Sequence, residues 1–151
     1  MSMQYEFLTN NCIYRTPVPM ASILDGGAWD VLVRARDRVH AGWRLLTHPL
    51  YGNFQPNQQP FRSVLLSRPA ADVAFPAKLD ADSVNLLEDA LAVYRKYEKT
   101  RVQPGDLPES VERDFAIVDI SLLHESLDRY GLWKTATLQE CIARVSDAER
   151  R

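Results

Sequence analysis

The sequence predicts a small single-domain α/β sandwich, in which a short, at least partly parallel sheet is flanked by helices. The chain contains short strand-like apolar segments and longer segments that repeat apolar residues at helical spacing. The first kind lies at 5–8, 22–24, 43–47 and 62–67, and the second at 28–41, 80–99 and 108–130. With 151 residues, 46% of them hydrophobic, the chain has the size of one domain (1–151) and can form a real core.

Composition and charge exclude several classes of function. The chain has 20 acidic and 18 basic residues, so no overall positive field attracts nucleic acid or an anionic membrane. No apolar run approaches the roughly 18 residues that a membrane-spanning helix needs, and the N-terminus lacks the pattern of a signal peptide. The two cysteines, Cys12 and Cys141, form no zinc-binding or CxxC pattern. We therefore expect a reduced, cytoplasmic protein.

The first third of the chain predicts two strands and a helix. Tyr5–Leu8 reads as the first strand, and Ser22–Leu24 as a short second one. Apolar residues then recur at helical spacing from Ala28 to Ala41. Asp25 is a possible N-cap of this helix, and Gly42 is a good C-terminal stop.

The second half predicts further helices. Asp80 and Asp82 both offer N-caps to a helix that ends near Lys99. Helical spacing also predicts a helix over Pro108–Tyr130, although Phe115–Ile120 is rich in strand-forming residues and allows a strand there instead. The tail, Thr137–Arg151, adds a last short helix.

Between the strand-like segments at 43–47 and 62–67 lies the 48–61 loop, which contains Pro49, Pro56 and Pro60. No strand or helix tolerates this spacing of prolines. Loops this long are uncommon in a compact domain and usually carry function or are disordered. Leu50, Tyr51, Phe54 and Phe61 give the loop apolar anchors of its own, so we expect it to be ordered and functional.

The expected topology brings several polar residues to one edge of the sheet. A helix separates the strands at 5–8 and 43–47, as in a right-handed crossover, so the two strands should run parallel. Their carboxyl ends then share one edge, where ligands of open α/β sheets bind. If the strand at 62–67 returns antiparallel, it starts at that same edge. The residues expected to converge there are Asn10, Asn11, His48, Asn57 and Arg62.

The chain resembles the GrdX family of accessory proteins, which are associated with glycine, sarcosine and betaine reductase systems. The resemblance spans roughly residues 5–130. It rests on Leu8-Thr9-Asn10-Asn11, on Val33-Arg34-Ala35-Arg36-Asp37-Arg38-Val39-His40, on Leu45-Leu46-Thr47-His48-Pro49-Leu50, on Pro56-Asn57 with Pro60-Phe61-Arg62-Ser63, and on Asp119-Ile120-Ser121-Leu122. The family implies a link to amino-acid reductive metabolism but supplies no reaction. Thr47 and Ser63 lie in the two most specific blocks, 45–50 and 60–63. Together with the five residues expected to converge, they are the candidate ligand- or partner-binding residues.

His48 and Arg62 are the candidates with the most versatile chemistry. The reference pKa of histidine suits proton transfer, but the favoured interpretation of His48 is that it hydrogen-bonds the loop backbone and fixes the turn before Pro49. The planar guanidinium of Arg62 matches a ligand carboxylate, or else the carbonyls of the loop itself. These alternatives stay open at the level of sequence.

Metal and nucleophile chemistry have weaker support. Asp37 and His40 share a helix face, but with His48 they provide no convincing ligand spacing, so we expect no metal and no cofactor. Cys12 would be a nucleophile only if His48 approached it, and a lone cysteine after a strand is more often a small buried residue.

The resemblance, together with the lack of a catalytic set of residues, implies a noncatalytic accessory protein that uses the 48–61 loop to bind a reductase-complex protein or a small carboxylate ligand. The alternative is a small-molecule enzyme with His48 as the proton-transfer group and Arg62 as the carboxylate anchor. A homodimer closed by the loop is a further possibility.

Overall fold

A computed structural model describes residues 2–70, 78–134 and 137–149, with side chains up to Val145 in the last segment. Within these ranges a mixed sheet lies between two pairs of helices, which confirms the predicted α/β class. The strands are β1 (Met3–Thr9), β2 (Ser22–Ile23), β3 (Arg44–Leu45) and β4 (Ser63–Pro69). The helices are α1 (Ala28–His40), α2 (Ala81–Lys96), α3 (Glu109–Arg129) and α4 (Leu138–Glu149), and a short 3₁₀ helix covers Cys12–Arg15.

The strand order in the sheet is β2-β1-β4-β3. β4 pairs antiparallel with both β1 and β3, whereas β2 pairs parallel with β1. β1 and β3 therefore point the same way, as expected, but β4 lies between them and the parallel pair is β1–β2. In the β1–β4 register Thr9 lies opposite Ser63, so the end of β1 and the start of β4 meet at one edge.

Helices cover both faces of the sheet because its central strands are apolar on both sides. Phe7 and Leu65 are fully buried on one face, in a cluster with residues of α3 and α4. Leu8, Val64 and Leu66 are fully buried on the other face, against α1 and α2. The alternation follows from the two-residue period of a strand, and the result is an α/β/α sandwich.

All four strands differ from their predicted bounds, and in β3 and β4 a side chain replaces a backbone partner at one end. The predicted strand at 43–47 is reduced to Arg44–Leu45. There the side-chain oxygen Oγ1 of Thr47, and not a backbone carbonyl, accepts the hydrogen bond from Leu65 N–H at 3.0 Å. β4 starts at Ser63 because Arg62 N–H donates to Asn10 Oδ1 at 2.9 Å.

The predicted helices are present, with corrections at their ends. The N-cap position of α1 is Gly27 and not Asp25, because Asp30 Oδ2 accepts the hydrogen bond from Gly27 N–H at 2.8 Å. Asp80 caps α2 as expected, by accepting from Ser83 N–H. Residues 115–120 lie inside α3, so the strand alternative is wrong. α4 confirms the tail helix, whose predicted last residues, 150–151, lie outside the described part.

Among the helices of the described ranges, none has both the length and the apolar composition needed to cross a membrane.

The 48–61 loop packs against α3. The rings of Phe54 and Phe115 meet edge to face with centroids 5.4 Å apart. Gly52 has a φ of +75°, and a Cβ built on it would lie 3.1 Å from Cδ1 of Leu122. Phe115 and Leu122 are seven positions apart and share one face of the helix, so the loop lies along that face.

Gly52→Ala tests this contact. Alanine at positive φ costs about 1–2 kcal/mol, and the crowding against Leu122 adds to that cost. Gly131→Ala is the matched control, because Gly131 has a φ of +71° and no atom within 4 Å of a built Cβ. Urea unfolding should show that Gly52→Ala lowers the free energy of unfolding more than Gly131→Ala does. This difference between the two variants should vanish when Leu122 is also replaced by alanine. Equal losses for the two alanine variants would contradict the contact.

Candidate functional site

The two asparagines after β1 hold the start of β4 and the end of the loop. Asn10 is only 8% exposed. Its Oδ1 accepts from Arg62 N–H, and its Nδ2 donates to Pro60 O at 2.9 Å and to Gly26 O at 3.1 Å. Asn11 Nδ2 donates to Ala116 O of α3 at 3.1 Å. One pair of amide side chains thus joins β1, β4, the loop and two helices.

Asp119 of α3 lies at the centre of this site and is fully buried. The hydroxyl of Tyr51, in the loop, donates to its Oδ1. Its Oδ2 accepts from Ser63 Oγ at 2.8 Å and from Asn11 Nδ2 at 3.3 Å. The hydroxyl of Thr9 lies 2.7 Å from that of Ser63, so a chain of hydroxyls leads from the end of β1 to the carboxylate. We call the set Thr9, Asn11, Tyr51, Ser63 and Asp119 the carboxylate cluster.

Burial has the largest effect on the pKa values of Asp119 and Tyr51 in the carboxylate cluster. Removal from water raises the pKa of Asp119, and the hydrogen bonds from Tyr51 and Ser63 oppose that rise without cancelling it. Burial also raises the pKa of Tyr51 and of nearby Tyr14, and the charge of Asp119 adds to both shifts. The two phenols therefore keep their protons at neutral pH, and Tyr51 remains a hydrogen-bond donor.

Arg62 is a buried cation beside the carboxylate cluster, only 1% exposed. Its Nε donates to Tyr94 Oη at 3.1 Å, and its Nη1 donates to Tyr51 O at 3.0 Å. The guanidinium carbon lies 4.8 Å from the centroid of the Tyr51 ring and 5.8 Å from that of Tyr94. Oxygens and aromatic faces therefore surround the charge. Tyr51 touches both buried charges, since its hydroxyl binds Asp119 and its carbonyl and ring contact Arg62.

Further hydrogen bonds fix the second half of the loop. Gln59 is 2% exposed, and its Oε1 accepts from Phe61 N–H at 3.2 Å. Pro56 O accepts from Val102 N–H at 3.1 Å, which ties the loop to the segment between α2 and α3. The loop is therefore held along most of its length.

The structure brings together some, but not all, of the residues expected to converge. Asn10, Asn11, Arg62 and Ser63 meet at the sheet edge as described. Thr47 stabilises the sheet, because its Oγ1 accepts the hydrogen bond from Leu65 N–H.

The expected convergence is wrong for His48 and Asn57. His48 is exposed, and its Nδ1 accepts from Leu50 N–H at 3.0 Å, so its ring holds the turn that leads into the loop. Asn57 is exposed in a turn in which Gln58 N–H donates to Gln55 O. Both exposed side chains therefore lie outside the buried cluster, and a short-range bond holds the ring of His48 in its turn.

The described residues are not arranged as the metal and nucleophile hypotheses would require. Across the described ranges, no three His, Cys, Asp or Glu residues are placed to hold a metal ion. His40 is exposed in the last turn of α1. Cys12 is an exposed free thiol at the start of the 3₁₀ helix, so the expectation of a buried cysteine is wrong. His124, in α3, packs edge to face on Trp133 with centroids 4.5 Å apart.

Sequence reasoning missed Asp119, Tyr51 and Tyr94 as site residues. One signal was available for Asp119. The buried positions of α3 are Ala116, Asp119, Ile120, Leu123 and Leu127, which recur at helical spacing. An acid on such a stripe must find buried donors, so its position indicates a polar cluster.

The fold and the site define a small α/β protein with an open mixed sheet and a loop fixed over one edge. Residues 6–128 match the GrdX-like protein family. Because the match covers most of the chain, the protein belongs to that family. No curated protein matches the chain significantly, and no solved structure does.

Asp119→Asn tests the buried carboxylate through pH. Asparagine replaces an acceptor oxygen by a donor beside the donors of Ser63 and Asn11, which should destabilise the fold by about 1–3 kcal/mol. An acid whose pKa is higher in the folded than in the unfolded state binds its proton more tightly when folded, so stability is lost as pH rises from about 3.8 through the folded pKa. The stability gap between wild type and variant should therefore be largest at low pH and narrow as pH rises.

Urea unfolding between pH 4 and 7 measures this gap. Asp114→Asn, an exposed carboxylate on the same helix, is the matched control and should change little. A gap that widens with pH would mean that hydrogen bonding outweighs burial, and would contradict the raised pKa.

Proposed function

We propose that this protein is a noncatalytic accessory protein of a glycine, sarcosine or betaine reductase system, and that the 48–61 loop contacts a protein component of that system. Membership of the GrdX-like family supports the link to the reductase. The observation that carries the proposal is the immobilised loop, whose inner side is anchored to α3 and to the sheet edge.

The outer side of the loop offers a polar surface that carries no Asp, Glu, Lys or Arg. Its exposed residues are His48, Gly52, Asn53, Gln55, Asn57 and Gln58. Hydrogen bonding to amides suits recognition of a specific partner without attraction between net charges. Because the backbone beneath is already ordered, binding would lose little conformational entropy. A fixed polar ridge of this kind is better suited to docking than to enclosing a substrate.

A small carboxylate ligand is the second candidate, and Arg62 is the observation that favours it. Its Nη2 is buried and has no hydrogen-bond partner among the described residues. A carboxylate would satisfy that donor. The enzyme alternative has less support, because His48 is exposed and bonded to its own turn while Arg62 is buried beneath the loop.

Affinity capture from cells that express such a reductase system tests the main proposal. Asn53→Ala/Asn57→Ala removes two exposed amides of the loop and should abolish recovery of the reductase components. Asn85→Ala removes an exposed amide from α2 and should leave recovery unchanged. Circular dichroism should show all variants folded.

Capture of reductase components by both variants alike would contradict a role for the loop. Recovery of the bait alone would contradict a protein partner and favour the carboxylate at Arg62. Light scattering of the same samples tests the predicted homodimer, since a strictly monomeric protein rules it out.

A further inference from the structure

A cleft lies away from the 48–61 loop, between the 3₁₀ helix, the first turns of α3 and helix α4. Its volume is about 400 Å³, within the range of about 300–1,000 Å³ that small-molecule sites occupy. Both cysteines of the chain line it, and both are free thiols. Nothing in the carboxylate cluster or in the loop uses this cleft.

The floor of the cleft is mainly apolar. Cys141 is 6% exposed, Pro17 is buried, and Ile13 and Val145 are half-buried. Burial raises the pKa of the Cys141 thiol, against the opposing effect of Arg144, so the floor is uncharged at neutral pH. A ligand that fills this space needs an apolar part.

The sides of the cleft are strongly basic. Arg15 comes from the 3₁₀ helix, Arg113 from α3 and Arg144 from α4, and all three line the same cavity. No acidic side chain lines it within the described residues. Arg113 is paired with Glu109, whereas Arg15 and Arg144 are exposed cations on two separate elements. Like charges on neighbouring elements repel one another, and these two lie at one cleft in a chain whose net charge is −2.

The acidic residues near the cleft have structural partners. Glu109 accepts from Arg113 at 3.2 Å, on the same helix. Glu140 Oε2 accepts from Thr137 N–H, and Thr137 Oγ1 accepts from Glu140 N–H, which is the capping box of α4. Arg15 and Arg144 are both exposed and border the opening, where they can reach an incoming charge.

We propose that this cleft binds a small organic anion, with its carboxylate, phosphate or sulfonate group among Arg15, Arg113 and Arg144 and a short apolar part against Cys141 and Pro17. Arginine presents paired donors to oxyanions of this kind. The site is separate from the docking surface proposed above and adds a ligand-binding function to it.

Fluorescence titration with 8-anilinonaphthalene-1-sulfonate, an anion with an apolar body, tests the site. Binding should be saturable. Hexanoate should displace the dye, whereas 1-hexanol and inorganic phosphate at the same concentration should displace it poorly. Displacement by hexanol as strong as by hexanoate would overturn recognition of the anion, and displacement by phosphate as strong as by hexanoate would overturn the need for an apolar part.

Two double variants locate the binding. Arg15→Gln/Arg144→Gln should raise the Kd for the dye at least tenfold. Arg34→Gln/Arg129→Gln removes two exposed arginines elsewhere and should change it less than twofold. The same Kd in both double variants, or no saturable binding to the wild type, would overturn the proposal. Asn53→Ala/Asn57→Ala should leave dye binding unchanged, which separates this test from that of the loop.

Cys12 provides an independent reporter, because it is exposed and lines the cleft. Hexanoate should slow its alkylation by iodoacetamide in the wild type but not in Arg15→Gln/Arg144→Gln, as followed by mass spectrometry. Equal alkylation rates with and without hexanoate in the wild type would place the bound anion elsewhere and overturn the assignment.

Discussion

A carboxylate removed from water requires hydrogen-bond donors, and Asp119 finds them on three separate parts of the chain. Tyr51 comes from the loop, Ser63 from β4 and Asn11 from the segment after β1. Each bond to a buried charged group is worth about 1.5–3 kcal/mol, and losing one leaves a costly unpaired atom. The hydrogen bonds to Asp119 therefore fix the path of the loop, the edge of the sheet and the position of α3 relative to one another.

Arg62 is a second buried charge, of the opposite sign, and it also needs hydrogen-bond partners. Arg62 is as deeply buried as Asp119. Tyr51 contacts both residues, since its hydroxyl binds Asp119 while its carbonyl and ring contact Arg62. Buried charges seldom add net stability compared with apolar residues. Their effect here is on geometry, because the loop supplies Tyr51 to both charges and Pro60 to Asn10. A loop fixed in this way holds its exposed amides in place, as the proposed docking role requires.

Much of the fold was predictable from local patterns. Helical periodicity located α1, α2 and α3, and the prolines defined the 48–61 loop. The expected strand directions placed Asn10, Asn11 and Arg62 at one edge, and the family resemblance added Ser63. The errors arose where a side chain replaced a backbone partner, as Thr47 does at the end of β3 and Asp30 at the start of α1. Such substitutions depend on three-dimensional contacts that periodicity does not contain.

The site was only half predictable for a similar reason. Residues that follow strands can be placed from topology, whereas Asp119 is far from them in sequence and comes from a helix on one face of the sheet. The favoured interpretation of His48, that it fixes the turn before Pro49, is confirmed by its bond to Leu50, which spans only two residues; only its expected place beside the other polar residues was wrong. Tyr51 was recognised as an apolar anchor, but its hydroxyl could be assigned a role only once Asp119 was placed beside it.

Amide hydrogen exchange in Tyr51→Phe tests most directly whether the carboxylate cluster holds the loop. The substitution removes one hydroxyl and keeps the ring beside Arg62. Exchange should accelerate at loop amides that are now bonded, including those of Leu50, Gln59 and Phe61, while β1 and α2 stay protected. Tyr130→Phe, which alters a half-buried tyrosine elsewhere, should leave the loop unchanged. Unaltered exchange in the loop of Tyr51→Phe, or equal acceleration throughout the protein, would contradict the account.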